Sequence, residues 1–120
     1  METNEKYVGT GVMKPVDADA RVKITVTADE SLTVTDAVFE ATGGGRIADC
    51  ASVLCEQVKG RDVRDFFQMN NNVIYYNIEP DLTLSELWQA SVAVLAAKRA
   101  AAEICRKNGI EYDAGSCCCV

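Results

Sequence analysis

The order of patterns along the chain predicts an α+β fold, with a small antiparallel β-sheet of about three strands packed against helices. Apolar and polar residues alternate first, with Val22, Ile24 and Val26 on one face. A helical stripe with spacings of three and four follows, at Ile47, Cys50, Ala51, Leu54 and Val58. A chain of 120 residues suffices for one domain, which we place at residues 1–110. Residues 111–120 are expected to form a flexible, cysteine-rich tail.

The strands are expected to form a hairpin and one further extended segment. Asp29-Glu30-Ser31 is typical of a turn, so the run after it should pair antiparallel with the first strand. In that run Ala37, Phe39 and Ala41 share one face. Residues 8–13 are expected to be extended or turn-like, because Pro15 blocks their continuation as a helix.

Two shorter segments follow the first helix. Lys59-Gly60 separates that helix from a second one over residues 61–69, whose buried residues should be Val63, Phe66 and Phe67. Residues 73–81 favour a strand, because their Val-Ile-Tyr-Tyr run has high β propensity. Tyr75 and Tyr76 in that run are expected to be packing residues.

A long C-terminal helix is predicted from its end signals. Thr83 and Glu86 form a capping box, and Asn108-Gly109 ends the helix. Its expected apolar stripe is Leu84, Leu87, Trp88, Ser91, Leu95 and Ala102. Residues 90–97 are all small or apolar, so the helix should be covered on more than one side, by the core or by a partner subunit.

Composition excludes several classes of function. The formal net charge is −6, and nucleic-acid binding requires a basic surface instead. No apolar run reaches the length of a membrane span, and the polar start of the chain shows no signal peptide, so we expect a cytoplasmic protein. The chain has no histidine, and without the commonest general base we expect no enzyme.

The six cysteines are expected to be reduced thiols. Cys50 and Cys55 lie in the first helix, where packing is the simplest role. Cys105 also favours packing, although Arg106 and Lys107 beside it could lower its pKa. Cys117, Cys118 and Cys119 are candidate metal ligands, with persulfide transfer or a vicinal disulfide as alternatives. The final four residues also fit a prenylation box in form.

A glycine corner, Gly43-Gly44-Gly45-Arg46, joins the predicted hairpin to the first helix. Backbone N–H groups at a helix start can bind anions, so Gly43, Gly45 and Arg46 form a candidate anion or ligand site. The alternative, which we favour, is that the glycines only make the turn.

These motifs together resemble the IscU/NifU N-terminal family of iron–sulfur cluster assembly scaffolds, over about residues 8–107. Besides the glycine corner, the segments that carry the resemblance are Val8-Gly9-Thr10-Gly11, Lys23-Ile24, Asp36-Ala37-Val38-Phe39 and Val58-Lys59-Gly60-Arg61-Asp62-Val63. The resemblance implies an α+β fold in which three cysteines and an aspartate converge on an exposed site for a nascent [2Fe–2S] cluster.

The residues that would hold this cluster are absent from the matching positions. The family's Cys-Gly-Asp is Ala18-Asp19-Ala20 here, and its Gly-Cys-Gly is Gly43-Gly44-Gly45. Its His-Cys pair is Glu86-Leu87, or Ser91-Val92 in a shifted register. The vacated positions are therefore Ala18, Ala20, Gly44 and Leu87, with Asp17 and Asp19 as possible displaced oxygen ligands. The chaperone-binding Leu-Pro-Pro-Val-Lys segment is also changed, to Ile78-Glu79-Pro80-Asp81-Leu82.

Three functional hypotheses follow. The first is a divergent scaffold-like protein that accepts or relays iron, sulfur or a [2Fe–2S] cluster through the tail thiols, in its own chain or in a neighbouring subunit. The second is a ligand-free interaction or regulatory module of an iron–sulfur or sulfur-transfer system. The third is a thiol or persulfide relay without metal. Expected partners are a protein of such a pathway, for example a cysteine desulfurase, and a second copy of the chain.

Overall fold

The computed structural model of the protein describes residues 5–15, 19–43 and 45–110. Within them lies an antiparallel three-stranded sheet in the order β1-β2-β3, with β1 at Val8–Met13, β2 at Arg21–Ala28 and β3 at Val34–Thr42. The β2–β3 hairpin pairs Ile24 with Phe39, and β1 pairs Gly11 with Ile24. The predicted hairpin and the predicted extended segment at residues 8–13 are both confirmed.

The helices pack on the sheet in the predicted order. Helix α1 is Ile47–Val58, α2 is a single turn at Asn72–Tyr75, and α3 is Leu87–Lys107. Short 3₁₀ helices lie at Glu5–Tyr7, Val63–Gln68 and Leu84–Glu86. The α+β prediction is therefore confirmed, and the second predicted helix is a 3₁₀ helix that buries the three residues expected of it, Val63, Phe66 and Phe67.

Glycines on β1 bring this strand unusually close to α3. A Cβ added at Gly9 would overlap the carbonyl oxygen of Ala100, and one added at Gly11 would overlap that of Ala96. No side chain fits between the two backbones at these points. The helix can approach so closely because its nearest backbone groups belong to Ala96 and Ala100, whose side chains are only methyl groups.

The outer edge of β1 is covered by side chains of α3. The Thr10 backbone N–H donates to Glu103 Oε1 at 3.1 Å. Arg99 Nη1 donates to the Val12 carbonyl at 2.8 Å, and Lys107 Nζ donates to the Val8 carbonyl at 2.9 Å. Strand edges carry unpaired backbone groups that can recruit other chains. Here α3 satisfies several of them from within the chain.

The buried face of α3 differs from the predicted stripe. Its fully buried residues are mostly small ones on the opposite side: Ala90, Ala93, Val94, Ala96, Ala97, Ala100, Ala101, Ile104 and Cys105. Leu84 is 89 % exposed and Trp88 is 37 % exposed. The prediction chose the wrong side of the helix because it followed the largest apolar side chains. The side that packs against the glycines of β1 is the one that carries the alanines. The expectation that the helix is covered on more than one side is confirmed, and its own core supplies that cover.

The segment at residues 73–81 forms no strand. It begins with the α2 turn, in which Asn70 Oδ1 accepts from the Asn72 N–H at 2.9 Å and Asn77 Nδ2 donates to the Val73 carbonyl at 2.9 Å. Asparagine side chains that bond nearby backbone groups stabilise turns, and they override the β propensity of the run. Tyr75 packs against the core as expected, but Tyr76 is 75 % exposed, so its predicted packing role is wrong.

Among the described residues, no helix is both long enough and apolar enough to cross a bilayer.

Candidate functional site

The glycine corner lies directly against the loop that precedes β2. Gly43 has a φ of +70°, and a Cβ there would overlap the Asp19 carbonyl oxygen and lie 2.9 Å from Ala20 Cα. A residue with a side chain would be disfavoured both by this positive φ and by the overlap with the Asp19 carbonyl oxygen. The fold thereby holds the Asp19-Ala20 segment against the glycine corner, although Ala20 and Gly43 are 23 residues apart in the sequence.

Arg46 joins this corner to the start of α3. Its backbone N–H donates to Oε1 of the buried Gln89. Its guanidinium donates to Asp49 Oδ2 at 2.8 Å and to the Pro80 carbonyl at 3.0 Å, and it lies 4.0 Å from Glu86 Oε1. The side chain is only 13 % exposed. Arg46 therefore binds three separate segments of the chain at one point, which we call the arginine corner: residues 43, 45, 46, 49, 80, 86 and 89.

Glu86 has two structural roles at the arginine corner. Its Oε1 accepts from the Thr83 backbone N–H at 2.9 Å, which completes the predicted capping box. That backbone hydrogen bond is the main reason why the pKa of Glu86 lies below its ordinary value, and the positive charge of Arg46 adds to the effect. Glu86 is therefore ionised at neutral pH and attracts the guanidinium.

The structure brings together those vacated family positions that it describes. Ala20 is buried beside the glycine corner, and Leu87 follows Glu86 in the first turn of α3. Ala18 and Gly44 lie outside the described residues. Ala20 thus lies against one side of the glycine corner, and the start of α3, which contains Leu87, contacts the other side through Arg46.

The described residues at this place do not fit an iron–sulfur cluster. Ala20 and Leu87 carry no donor atom, and no group of three or more histidine, cysteine, aspartate or glutamate side chains that could hold a metal exists within the described ranges. The residue at the centre is a guanidinium, whose positive charge repels iron ions and whose N–H groups cannot ligate them. Its carboxylate neighbours are engaged with Arg46 itself.

The three cysteines of the domain are buried thiols. Cys50 is completely buried one helical turn beyond Arg46, where its N–H donates to the Arg46 carbonyl at 2.9 Å. Burial raises the pKa of Cys50 and of Cys55 to about 11, against a weaker opposing effect of Arg46 and Lys59 respectively. These thiols stay protonated at neutral pH, so they are poor metal ligands.

Cys105 differs from what its neighbours in sequence suggest. It is completely buried, and burial raises its pKa, with Arg64 opposing the shift more weakly. The alternative that Arg106 and Lys107 lower this pKa is therefore not supported, and both of those side chains are exposed at the surface of α3. The packing role expected of Cys50 and Cys105 is confirmed.

The remaining site predictions are left as predictions. Cys117, Cys118 and Cys119 lie outside the described residues. An anion at Gly43, Gly45 and Arg46 would have to compete with the carboxylate of Asp49 for the guanidinium.

Sequence reasoning missed two features of the arginine corner. It did not predict that Asp49, in the first turn of α1, pairs with Arg46. It gave Gln89 no role, although this buried amide accepts the hydrogen bond from the start of α1. The spacing of three between Arg46 and Asp49 could have indicated the first contact, but no local signal could have indicated the second.

Comparison with known proteins identifies the class that this fold and this site define. The family model described as the NifU-like N terminal domain matches residues 1–110. The chain therefore belongs to the NifU-like N-terminal family, whose general function is that of a scaffold for iron–sulfur cluster assembly. Proteins of this family work with other proteins in iron–sulfur assembly systems. A search of curated proteins gave no match.

Proposed function

We propose that this chain serves iron–sulfur cluster assembly by carrying iron, sulfur or a [2Fe–2S] cluster as cargo on Cys117, Cys118 and Cys119, and not at the family's ligand positions. The observation that supports it is the arginine corner, which puts a guanidinium bound to protein carboxylates where the family places its ligands. On this proposal the chain is a carrier and not an enzyme.

The distribution of thiols supports the same proposal. Cluster and iron binding in proteins depend on thiolates, which are the soft ligands that iron–sulfur chemistry uses. Three of the six cysteines are buried with raised pKa values. The other three are Cys117, Cys118 and Cys119, and we therefore assign the thiolate chemistry of the chain to these residues.

The length of α3 bears on whether the tail acts within its own chain. The Ile110 N–H donates to the Cys105 carbonyl at 2.9 Å, so the described chain ends level with Cys105. From there to Gln89, which contacts the arginine corner, is about 24 Å along the helix axis. The seven residues from Ile110 to Cys117 span at most about 25 Å when fully extended. These two lengths are nearly equal, so the proposal covers both tail thiols that act in their own chain and tail thiols that act on a partner or a second copy.

Anaerobic reconstitution with iron and sulfide tests the carrier proposal. The full chain is compared with a variant in which Cys117, Cys118 and Cys119 are serine, and iron per chain is read with charge-transfer absorption. We expect the triple variant to lose both signals. Cys50→Ala is the matched control, since the buried Cys50 should leave uptake unchanged. Equal uptake by the triple variant, or no uptake by the full chain, would contradict the proposal.

A ligand-free interaction module is the second candidate, and one observation favours it. Three large apolar side chains near the start of α3, Tyr76, Leu84 and Trp88, are exposed. Clustered exposed apolar residues are typical of protein contacts. If the full chain takes up no iron in the reconstitution, the interaction module becomes the favoured function.

A further inference from the structure

A groove of about 350 Å³ opens beside the start of α3. We call it the tyrosine groove, and its lining residues are Asn71, Asn72, Tyr75, Tyr76, Leu82, Leu84 and Leu87. Tyr75 and Tyr76 meet edge to face, with ring centroids 5.4 Å apart. Its volume and its mixture of aromatic and aliphatic walls with a few polar groups are typical of sites that bind another molecule.

One polar atom in the wall of the tyrosine groove has no partner among the described residues. Asn71 Nδ2 donates to Ser91 Oγ at 2.7 Å, but Asn71 Oδ1 is buried and accepts no hydrogen bond. A buried acceptor without a donor is costly to keep. Because Oδ1 is buried, the Asn71 side chain must turn toward the groove before a bound molecule can donate an N–H group to it.

The charge around the tyrosine groove favours a basic occupant. The segment that supplies every lining residue, residues 71–87, contains no lysine or arginine and three carboxylates: Glu79, Asp81 and Glu86. The nearby cation contributed by another segment is Arg46, and its guanidinium is engaged with Asp49 and the Pro80 carbonyl. An approaching lysine or arginine would therefore be attracted.

The same charges disfavour the occupants that the chain itself could provide. Residues 111–120 contain Glu111 and Asp113 and no lysine or arginine, so they carry the same sign as the groove. A second copy carries a net charge of −6, and pairing two grooves face to face would bring like charges together.

We propose that the tyrosine groove binds a segment of a partner protein that presents apolar side chains between lysines or arginines. The apolar side chains fill the space between Tyr76, Leu84 and Leu87, and an N–H of the segment donates to Asn71 Oδ1 once that side chain has turned toward the groove. The lysines or arginines lie near Glu79 and Asp81. The proposal does not depend on the tail thiols or on any cargo.

The test uses the full chain and three synthetic octapeptides. One alternates leucine with lysine, one alternates leucine with glutamate, and one alternates serine with lysine. Binding is followed by the fluorescence of Trp88, the single tryptophan of the chain, and by the amide resonances of Tyr76 and Leu84. We expect the leucine–lysine peptide to bind and shift these resonances, more weakly as salt rises, and the other two peptides to bind at least tenfold more weakly.

Leu84→Ser and Val38→Ser form a matched pair of variants. Leu84 is 89 % exposed at the groove, whereas Val38 is 53 % exposed on β3, so neither substitution empties the core. Losing the burial of one leucine corresponds to a loss of affinity of about tenfold to a hundredfold. We expect that loss of affinity for Leu84→Ser. For Val38→Ser we expect the affinity to change by less than about twofold, because Val38 does not line the groove.

Four results would overturn the proposal. They are equal binding of the leucine–glutamate peptide, unchanged affinity in Leu84→Ser, and groove resonances that move on dilution without peptide, which would indicate a second copy. The fourth is movement of those resonances in Tyr112→Ser, a change that removes the aromatic side chain of residues 111–120 and would indicate the tail as occupant. The carrier proposal is unaffected by any of them, since no iron is used.

Discussion

The two ends of α3 differ in what they contact and in what they tolerate. The C-terminal two thirds lie against β1 so closely that Gly9 and Gly11 leave no room for a Cβ. The N-terminal end meets the arginine corner through Gln89 and Glu86 and leaves Leu84 and Trp88 exposed. One end is held by steric fit between backbones together with hydrogen bonds to the edge of β1, and the other by polar contacts of the mostly buried Arg46 and Gln89.

This difference explains how the chain keeps the family fold without the family ligands. At the polar end Arg46 links the start of α1 to Pro80 and to the start of α3 without any ligand. The steric contact at the other end involves no ligand, so loss of a cluster leaves it intact. The first prediction tests the steric end, and the next two test the region of α1 and the arginine corner.

The largest expected effect is that of Gly11→Ala. The added Cβ would overlap the Ala96 carbonyl oxygen and lie 2.7 Å from the Ala100 nitrogen, so β1 and α3 must separate. We expect a loss of about 3 kcal/mol or more in the free energy of unfolding, measured by urea denaturation.

Gly45→Ala is the control for Gly11→Ala. A Cβ at Gly45 meets nothing within 4 Å, so its effect should stay within about 0.5 kcal/mol. If the two variants are equally stable, the close contact between β1 and α3 does not hold the fold together.

The next effect is the loss of stability at high pH caused by the buried thiols. The pKa of Cys50 is raised from 9.0 to about 11 in the folded protein. The neutral thiol is favoured by folding, so this stabilisation is fully present below pH 9 and is lost as pH rises through about 11. The linked free energy is about 2–3 kcal/mol at most.

Cys50→Ala separates this linkage from other groups that titrate at high pH. The difference in unfolding free energy between the native chain and Cys50→Ala, measured by urea denaturation from pH 7 to 11, should shrink as pH rises. A constant difference over that range would show that Cys50 ionises as readily in the folded chain as in the unfolded one.

The smallest expected effect is that of Arg46→Gln. Arg46 is mostly buried and donates to the Pro80 carbonyl and to the exposed Asp49. Exposed ion pairs contribute little, so the loss should be about 1 kcal/mol, mainly from the carbonyl contact. Thermal unfolding measures it. Arg21→Gln, at an exposed position on β2, is the control and should change stability less. A result in which the two variants lose the same amount would remove Arg46 as the link between the segments.

Much of the fold was predictable from local patterns. The alternation of Val22, Ile24 and Val26, the stripe of α1 and the capping box of Thr83 and Glu86 were each read correctly. Each of these signals comes from residues that are close together in the sequence. The same residues make the local interactions that form the strand or helix.

The candidate site was predictable only as a set of positions. The sequence showed that Ala20 and Leu87 have no ligand atoms, because that is a property of residue type. It could not show that Arg46 reaches Pro80 and Gln89, since those contacts join segments more than 30 residues apart. It also could not show that burial outweighs the neighbouring charges at Cys105.

By itself the sequence determined the three strands, α1 and the two ends of α3, and it showed that the chain has no histidine. Only the tertiary structure decided which side of α3 is buried, because that helix has more apolar positions than one surface can cover. Gly9 and Gly11 determine the buried side of α3, because the backbone of Ala96 and Ala100 can approach these glycines closely. The larger apolar residues Leu84 and Trp88 were thereby left at the surface.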